Sequence, residues 1–262
     1  MTVELAHVEH GAGDGGTPLV LLHAFPVPGA VLDPVASQLA DRHRVVVPDL
    51  RGFGGSPDPG DDEPSLDHYA DDVAALLDRL GIDRAVVGGL SMGGYVTMAL
   101  LRRHPGRVAT AVLMDTKAAA DTDEARANRE RVAAAVLENG NRALRPMLET
   151  LLGATTRRER PDVVARVTRW LDEARPDGVA WAQRAMAARA SSFDTLAAVG
   201  VPGAVLVGEE DTLTGRDDAQ AMAEAFVPPA PVRVIAGAGH LAPVEDPGAV
   251  AGALHEVVSS TP

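Results

Sequence analysis

Short aliphatic runs alternate with longer amphipathic stretches along most of the chain. A run of apolar residues bounded by Gly, Pro or charged residues predicts a buried strand, because a strand covered by helices is apolar on both faces. The pattern predicts strands over residues 2–10, 19–22, 44–49, 84–87, 108–114, 203–208 and 232–235. The first of these alternates apolar with polar residues, as a half-exposed strand or a hairpin does.

Amphipathic helices fill most of the intervals between these strands. In one of them, apolar residues from Tyr69 to Leu80 recur at spacings of three and four, Ser65 is the expected N-cap, and Gly81 ends the helix. Other helices are predicted over residues 31–39, 92–103, 217–226 and 247–258. Alternating strands and helices imply right-handed crossovers and a mostly parallel sheet covered on both faces, which is the α/β class.

The middle of the chain departs from this alternation. From Ala118 to Ala190 the sequence is rich in Ala, Arg and Glu, has helical periodicity, and contains no run that predicts a strand. We therefore predict a core formed by residues 1–116 and 194–262, with a helical cap of residues 117–193 inserted in the same domain. Trp170, Trp181, Met147 and Met186 are candidates for the lining of a ligand cavity under this cap.

Composition and charge narrow the class of protein. An apolar fraction of 46% is typical of a globular chain, and a formal net charge of −13 disfavours binding to nucleic acid or to an anionic membrane. The absence of cysteine excludes disulfides and a thiol nucleophile. No signal-peptide pattern and no membrane-length apolar run are present, so the expected location is the cytoplasm.

A Gly-rich turn joins the strand at residues 84–87 to the helix at residues 92–103. The pattern Gly89-x-Ser91-x-Gly93 is the one that places a serine on a sharp strand-to-helix turn, with its hydroxyl exposed above the sheet. By itself such a turn could be no more than a helix N-cap. The interpretation of Ser91 as a nucleophile therefore depends on partners elsewhere in the chain.

Two candidate partners follow later strands. Asp211 and His240 each lie just after a predicted strand, so they should meet Ser91 at the carboxyl edge of the sheet. An imidazole can take the serine proton near neutral pH, and a carboxylate on the other ring nitrogen fixes its tautomer. Asp115 also ends a strand and is the main alternative acid, and the weaker alternatives are Glu209 and Glu210.

An acyl-transfer site also needs donors for the oxyanion that develops on the substrate. The backbone N–H of Met92, the residue after the serine, is one candidate donor. The second is expected from the loop that follows His23, which makes Phe25 the candidate.

Three other segments resemble ligand-binding motifs, but we interpret each of them as structural. Gly11-Ala12-Gly13-Asp14-Gly15-Gly16 has nucleotide-loop spacing but runs into a strand rather than a helix, so we interpret it as a flexible turn. The acidic stretch 58–63 lacks the spacing of a calcium loop. We interpret His7 and His10 as surface histidines, not metal ligands, because residues three apart on a strand point to opposite faces.

Together these motifs resemble the α/β-hydrolase superfamily. The resemblance rests on segments across nearly the whole chain outside the insert, namely His23-Ala24-Phe25-Pro26, residues 49–56, Gly89-Leu90-Ser91-Met92-Gly93-Gly94, residues 208–211 and Gly237-Ala238-Gly239-His240. Within it, the chain is most similar to small bacterial carboxylesterases and 3-oxoadipate enol-lactonases. The resemblance implies a sheet of the eight-stranded type and a cap that acts as a lid. Ala24 departs from the glycine that is common at its position.

These observations predict a hydrolase that cleaves a small-molecule carboxylic ester or lactone through an acyl-enzyme on Ser91. No metal and no organic cofactor is expected. The oligomeric state is undecided between a monomer and a homodimer. Carbon–carbon, thioester or perhydrolase chemistry by the same triad is an alternative. A non-catalytic small-molecule receptor on the same fold is an alternative of another class.

Overall fold

A single twisted sheet forms the centre of the molecule. The computed structural model describes residues 1–12 and 15–261, so Gly13 and Asp14 of the Gly-rich turn lie outside the described residues. The strands are β1 (His7–His10), β2 (Leu19–Leu22), β3 (Val45–Pro48), β4 (Ala85–Leu90), β5 (Val108–Met114), β6 (Gly203–Gly208) and β7 (Val232–Ile235). Their order is β1-β3-β2-β4-β5-β6-β7, and β1 alone pairs antiparallel.

Helices cover both faces of this sheet. They are α1 (Asp33–Leu39), α2 (Leu66–Arg79), α3 (Met92–Arg103), α4 (Asp123–Asn139), α5 (Leu148–Leu151), α6 (Ala154–Glu159), α7 (Pro161–Glu173), α8 (Pro176–Ala187), α9 (Phe193–Ala198), α10 (Arg216–Ala225), α11 (Ala242–Glu245) and α12 (Pro247–Ser260). Short 3-10 turns occupy Gly29–Val31, Pro105–Arg107 and Gly140–Met147. The predicted α/β class is confirmed by this arrangement. The predicted N-cap is also confirmed, because the Ser65 side chain accepts a hydrogen bond from the Asp67 N–H.

The described sheet has seven strands rather than the eight that the resemblance suggested. The predicted first strand began at residue 2, but β1 begins at His7. The segment before β1 is held by other groups: the Val3 N–H donates to Asp72 at 2.8 Å, and the Ala6 N–H donates to Ser56 at 2.9 Å. Side-chain acceptors therefore take the hydrogen bonds that a further strand would have used.

The carboxyl ends of the central parallel strands form one edge of the sheet. β2, β4 and β5 are buried along their whole length, and β4 lies between the other two. The loops after these strands and after β6 and β7 carry the residues that the sequence singled out. In an open parallel sheet this edge is where ligand sites form.

The middle segment is helical, as its periodicity predicts, and lies over this edge. It contains α4 to α8, and α4 ends at Gly140, which has a φ of 66°. Two carboxylates of the core hold it by accepting hydrogen bonds from its backbone: Glu245 from the Gly153 N–H at 2.9 Å and Glu210 from the Thr155 N–H at 2.8 Å. These bonds anchor the cap beside the loop that carries His240.

None of the helices within residues 1–12 and 15–261 combines the length and the apolar character that a membrane span requires.

Candidate active site

Ser91 lies at the turn between β4 and α3. Its backbone has φ 53° and ψ −110°, outside the φ/ψ regions that residues with a Cβ usually adopt. The turn is tight because the chain passes close to its neighbours: a Cβ at Gly93 would clash with the carbonyl oxygen of Leu22, and one at Gly89 with the carbonyl of Gly93. The strand before the turn is longer than predicted and runs through Gly88 and Gly89 to Leu90. Such local strain is typical of functional positions.

The structure brings Ser91, His240 and Asp211 together. The Ser91 Oγ lies 2.8 Å from Nε2 of His240, and Nδ1 of the same ring lies 2.9 Å from Oδ2 of Asp211. An ionised carboxylate can only accept, so Nδ1–H donates to Asp211 and Nε2 is free to accept the Ser91 hydroxyl proton. The three groups have the geometry of a nucleophile, a base and an orienting acid.

Asp211 is held as an anion by several donors. Its carboxylate accepts from the N–H groups of Leu213 and Thr214 and from the Thr214 hydroxyl at 2.6 Å. Burial raises the pKa of Asp211, but the hydrogen bond and charge of His240 and the donors of the Thr214 turn outweigh burial, so the pKa lies below its ordinary value. The carboxylate is therefore ionised at neutral pH.

Asp115, the main alternative acid, has different contacts. Its Oδ1 accepts from the Gly208 N–H at 2.6 Å, and its Oδ2 is buried with no hydrogen-bond partner in the described structure. Burial and then the charge of Asp211 raise its pKa well above the ordinary value. Its described hydrogen bonds do not reach His240. Among the weaker alternatives, Glu209 pairs with Arg216 and Glu210 binds Thr155 in the cap.

The two predicted oxyanion donors follow different strands at the same edge of the sheet. Met92 is the first residue of α3, and an N–H in the first turn has no acceptor within its own helix. Phe25 lies in the loop after β2 and lines the same cavity as Ser91. His23 braces this loop: its Nδ1–H donates to the Ala24 carbonyl at 2.9 Å and its Nε2 accepts from Leu50 N–H at 2.9 Å, and burial lowers its pKa.

A cavity of about 370 Å³ opens above Ser91, between the sheet edge and the cap. Met147 and Met186 line it. The two tryptophans do not: Trp181 donates its indole N–H to the Asp62 carbonyl at 2.9 Å, and Trp170 lines a separate cavity of about 200 Å³ beside Phe53. Two of the four cap residues that we considered therefore face the cavity.

Several residues of this site have no recognisable motif. Thr214 connects Asp211 with the histidine loop, and a hydroxyl three residues after the acid was a weak signal for it. Tyr95, Lys117, Asp121, Arg129 and Gln183 line the cavity, but no sequence pattern links them. Their convergence depends on how the cap folds onto the core.

The other candidate motifs have structural contacts. His10 pairs with Asp33, and the acidic stretch 58–63 pairs with cations, since Asp58 contacts Arg175 and Asp62 contacts Arg51. Within the described residues, no group of three His, Asp or Glu side chains is arranged to hold a metal ion.

With this geometry in place, comparison with known proteins defines the class. A family model described as the alpha/beta hydrolase fold matches residues 17–247. An esterase from Thermogutta terrifontis, solved with malate bound, is 38% identical, with a TM-score of 0.93 over 99% of this chain and 94% of that one. The enol-lactonase from Burkholderia xenovorans LB400 is 26% identical, with a TM-score of 0.88 over 98% of this chain and 97% of that one.

The chain belongs to the α/β hydrolase fold family. A curated relative, the 2-hydroxymuconate semialdehyde hydrolase of Pseudomonas sp. (strain CF600), is 38% identical over 109 residues, which are 40% of this chain and 38% of that protein. The match to this relative thus spans well under half of its length. The predicted resemblance to hydrolases of the esterase and enol-lactonase kind is confirmed, and so is the prediction of an enzyme of the carboxylic ester hydrolase type.

Proposed function

We propose that this protein hydrolyses a small carboxylic ester or lactone through an acyl-enzyme on Ser91. The observation that carries the proposal is the pair of hydrogen bonds, 2.8 Å and 2.9 Å, that links Ser91 through His240 to an ionised Asp211. The malate-bound esterase and the enol-lactonase, which share the fold over nearly the whole chain, support an ester or lactone substrate.

In the first half-reaction, Nε2 of His240 takes the proton of the Ser91 hydroxyl as Oγ attacks the substrate carbonyl carbon. The charge that forms on the carbonyl oxygen is stabilised by the N–H groups of Phe25 and Met92. Collapse of the tetrahedral intermediate breaks the ester bond, and His240 passes its proton to the departing alkoxide. In a lactone the alcohol stays attached to the acyl group.

In the second half-reaction, water replaces the alcohol. His240 takes a proton from the water, whose oxygen attacks the acyl carbon, and the same proton returns to Oγ as Ser91 leaves. The carboxylic acid product ionises and departs. Asp211 stays ionised throughout, because its donors and the imidazolium favour the anion, and it keeps the ring in the productive tautomer.

The triad alone is compatible with other bonds. The relative from Pseudomonas is named for a semialdehyde, which is not an ester. Carbon–carbon hydrolysis by the same residues is therefore the alternative to test. Comparing kcat/KM on ethyl esters, lactones, thioesters and vinylogous diketones separates these alternatives. The highest kcat/KM on an ester or lactone is the expected result, and a diketone preference would contradict the proposed bond.

The role of Ser91 is tested with a fluorophosphonate, which forms a covalent adduct with an activated serine. We expect labelling of the native protein and no labelling of Ser91→Ala, whose kcat should fall by about 10⁵–10⁶-fold. Ser37→Ala, on the exposed face of α1, is the matched control and should keep native activity. Folded native protein that is neither labelled nor active would favour the receptor alternative.

A further inference from the structure

Three charged side chains that do not belong to the triad line the Ser91 cavity. Lys117 lies in the segment that follows β5, Asp121 lies a few residues further on, and Arg129 is on cap helix α4. All three line the cavity that contains Ser91 and His240. The proposed acyl transfer uses none of them, so their position needs another explanation.

Lys117 is an unpaired cation. It is half-buried, and across residues 1–12 and 15–261 no carboxylate or hydrogen-bond acceptor contacts its ammonium group. It is also the single lysine among the 24 Lys and Arg residues of the chain. A cation that lines a cavity and has no counter-charge is stabilised when an anion binds beside it.

The other charged residues that line this cavity do not neutralise Lys117. Asp121 is almost fully buried and pairs with both Arg129 and Arg189, so this group of three keeps one positive charge. Burial raises the pKa of Asp121, but the hydrogen bond and charge of Arg129 and the charge of Arg189 outweigh burial and lower it. With Lys117, the formal charge of the cluster is two positive.

Within the described structure, Asp121 is the one carboxylate among the residues lining this cavity. The positive charge is therefore local, in a chain whose formal net charge is −13. Arg129 is also held in place, because its Nη1 donates to Oε1 of Gln183 at 3.0 Å. A guanidinium fixed by its neighbours loses little side-chain entropy when it binds an anion.

We propose that the substrate carries a carboxylate that pairs with Lys117, with Arg129 as a second source of positive charge. This inference rests on the proposed ester or lactone hydrolysis and narrows its substrate to half-esters of dicarboxylic acids, esters of hydroxy acids, and lactones with a carboxylate side chain. The cavity of about 370 Å³ suits a small molecule of this kind.

The test compares carboxylate esters with uncharged esters of the same shape. Monoethyl glutarate is matched by ethyl 5-methylhexanoate for a carboxylate on the acyl side, and 4-acetoxybutanoate is matched by 4-methylpentyl acetate for one on the alcohol side. We expect kcat/KM to be higher for the carboxylate ester in at least one pair. Lys117→Met should lower the ratio of kcat/KM for that ester to kcat/KM for its neutral match by about 10–100-fold.

Arg131→Met is the matched control, because it removes one positive charge from the exposed face of the same cap helix. It should leave the preference intact. An equal loss in both variants would show that Lys117 acts only through the net charge, and equal kcat/KM within both ester pairs would overturn the proposal. In either case Ser91-dependent cleavage of the neutral esters would leave the proposed function standing.

Binding without turnover separates the two proposals further. Glutarate is titrated calorimetrically into Ser91→Ala and into the Ser91→Ala, Lys117→Met double variant, with hexanoate as the uncharged-tail control. Tighter binding of glutarate that weakens about tenfold or more in the double variant supports the anion site even if no ester is cleaved. Equal affinities of the two proteins for glutarate contradict it.

Discussion

The sheet edge and the cap each contain a buried carboxyl group, and the pKa values of the two groups are shifted in opposite directions. At the edge, Asp115 is buried beside Asp211, and no Lys or Arg pairs with it in the described residues, so its pKa is raised. In the cap segment, Asp121 is buried between Arg129 and Arg189, and its pKa is lowered. Burial raises the pKa of both carboxyls, and the neighbouring charges decide the outcome.

The sheet edge and the cap also contribute different kinds of contact to the site. The edge places its groups through backbone contacts, such as the Gly208 N–H on Asp115 and the Leu213 N–H on Asp211. The cap presents side chains, such as Met147 and Lys117, to the cavity. We infer that the edge carries the chemistry and that the cap segment selects the substrate.

The sharpest test of the comparison replaces each edge carboxyl by its amide. Asp211→Asn should lower kcat by about 10⁴-fold, because the amide does not hold His240 in the correct tautomer. Asp115→Asn should keep kcat within about tenfold of native, because the described hydrogen bonds of Asp115 involve backbone N–H groups and not the imidazole. Steady-state kinetics on one ester measures both changes.

Circular dichroism of the two variants is the control for folding. A larger loss of kcat in Asp115→Asn than in Asp211→Asn would assign the orienting acid to Asp115 instead.

A smaller effect is expected from trimming the apolar wall of the cap. Met147→Ala removes part of the cavity lining, so kcat/KM should shift by about tenfold toward acyl chains longer by one or two carbons. Labelling by a small fluorophosphonate should be unchanged, because the triad is untouched. Leu137→Ala, at an exposed position of α4 outside this cavity, is the matched control. Unchanged chain-length preference in Met147→Ala would assign substrate selection to other residues.

The smallest expected effect is on the pH dependence of stability. The pKa of Asp115 is higher in the folded protein than in the unfolded chain. Its contribution to the free energy of unfolding is therefore fully present below about pH 3.8 and is lost as the pH rises toward the folded-state pKa. A lowered pKa gives Asp121 the opposite sign: its stabilisation is present above about pH 3.8 and is lost as the pH falls through the lower folded-state value.

Thermal unfolding of Asp115→Asn and Asp121→Asn from pH 4 to pH 8 measures this contrast. The Tm of Asp115→Asn relative to native should rise with pH, because the native chain alone must ionise a buried carboxyl. The Tm of Asp121→Asn should lie below native at pH 8, with a difference that persists down to about pH 4 and narrows only in measurements below pH 3.8. Parallel Tm curves for both variants would show that the two carboxyls do not differ in this way.

Much of the edge could be predicted from the sequence, because its signals are local. The aliphatic runs gave the order of the strands along the chain, and Gly89-x-Ser91-x-Gly93 identified the turn that the structure places between β4 and α3. Asp211 and His240 could be placed near Ser91 because the carboxyl ends of parallel strands share one edge. The start of the first strand was predicted wrongly at residue 2 rather than at His7, because Asp72 and Ser56 take the hydrogen bonds of the segment before it.

The sequence by itself determined the alternation of strands and helices, the sharp turn at Ser91 and the chain order of the three triad candidates, because each depends on neighbouring residues or on strand direction. Only the tertiary structure decided that Lys117 and Arg129 share a cavity with Ser91, that neither tryptophan lines it, and that the pKa is raised for Asp115 but lowered for Asp121. Cavity lining and pKa depend on distances between groups far apart along the chain, and folding alone sets those distances.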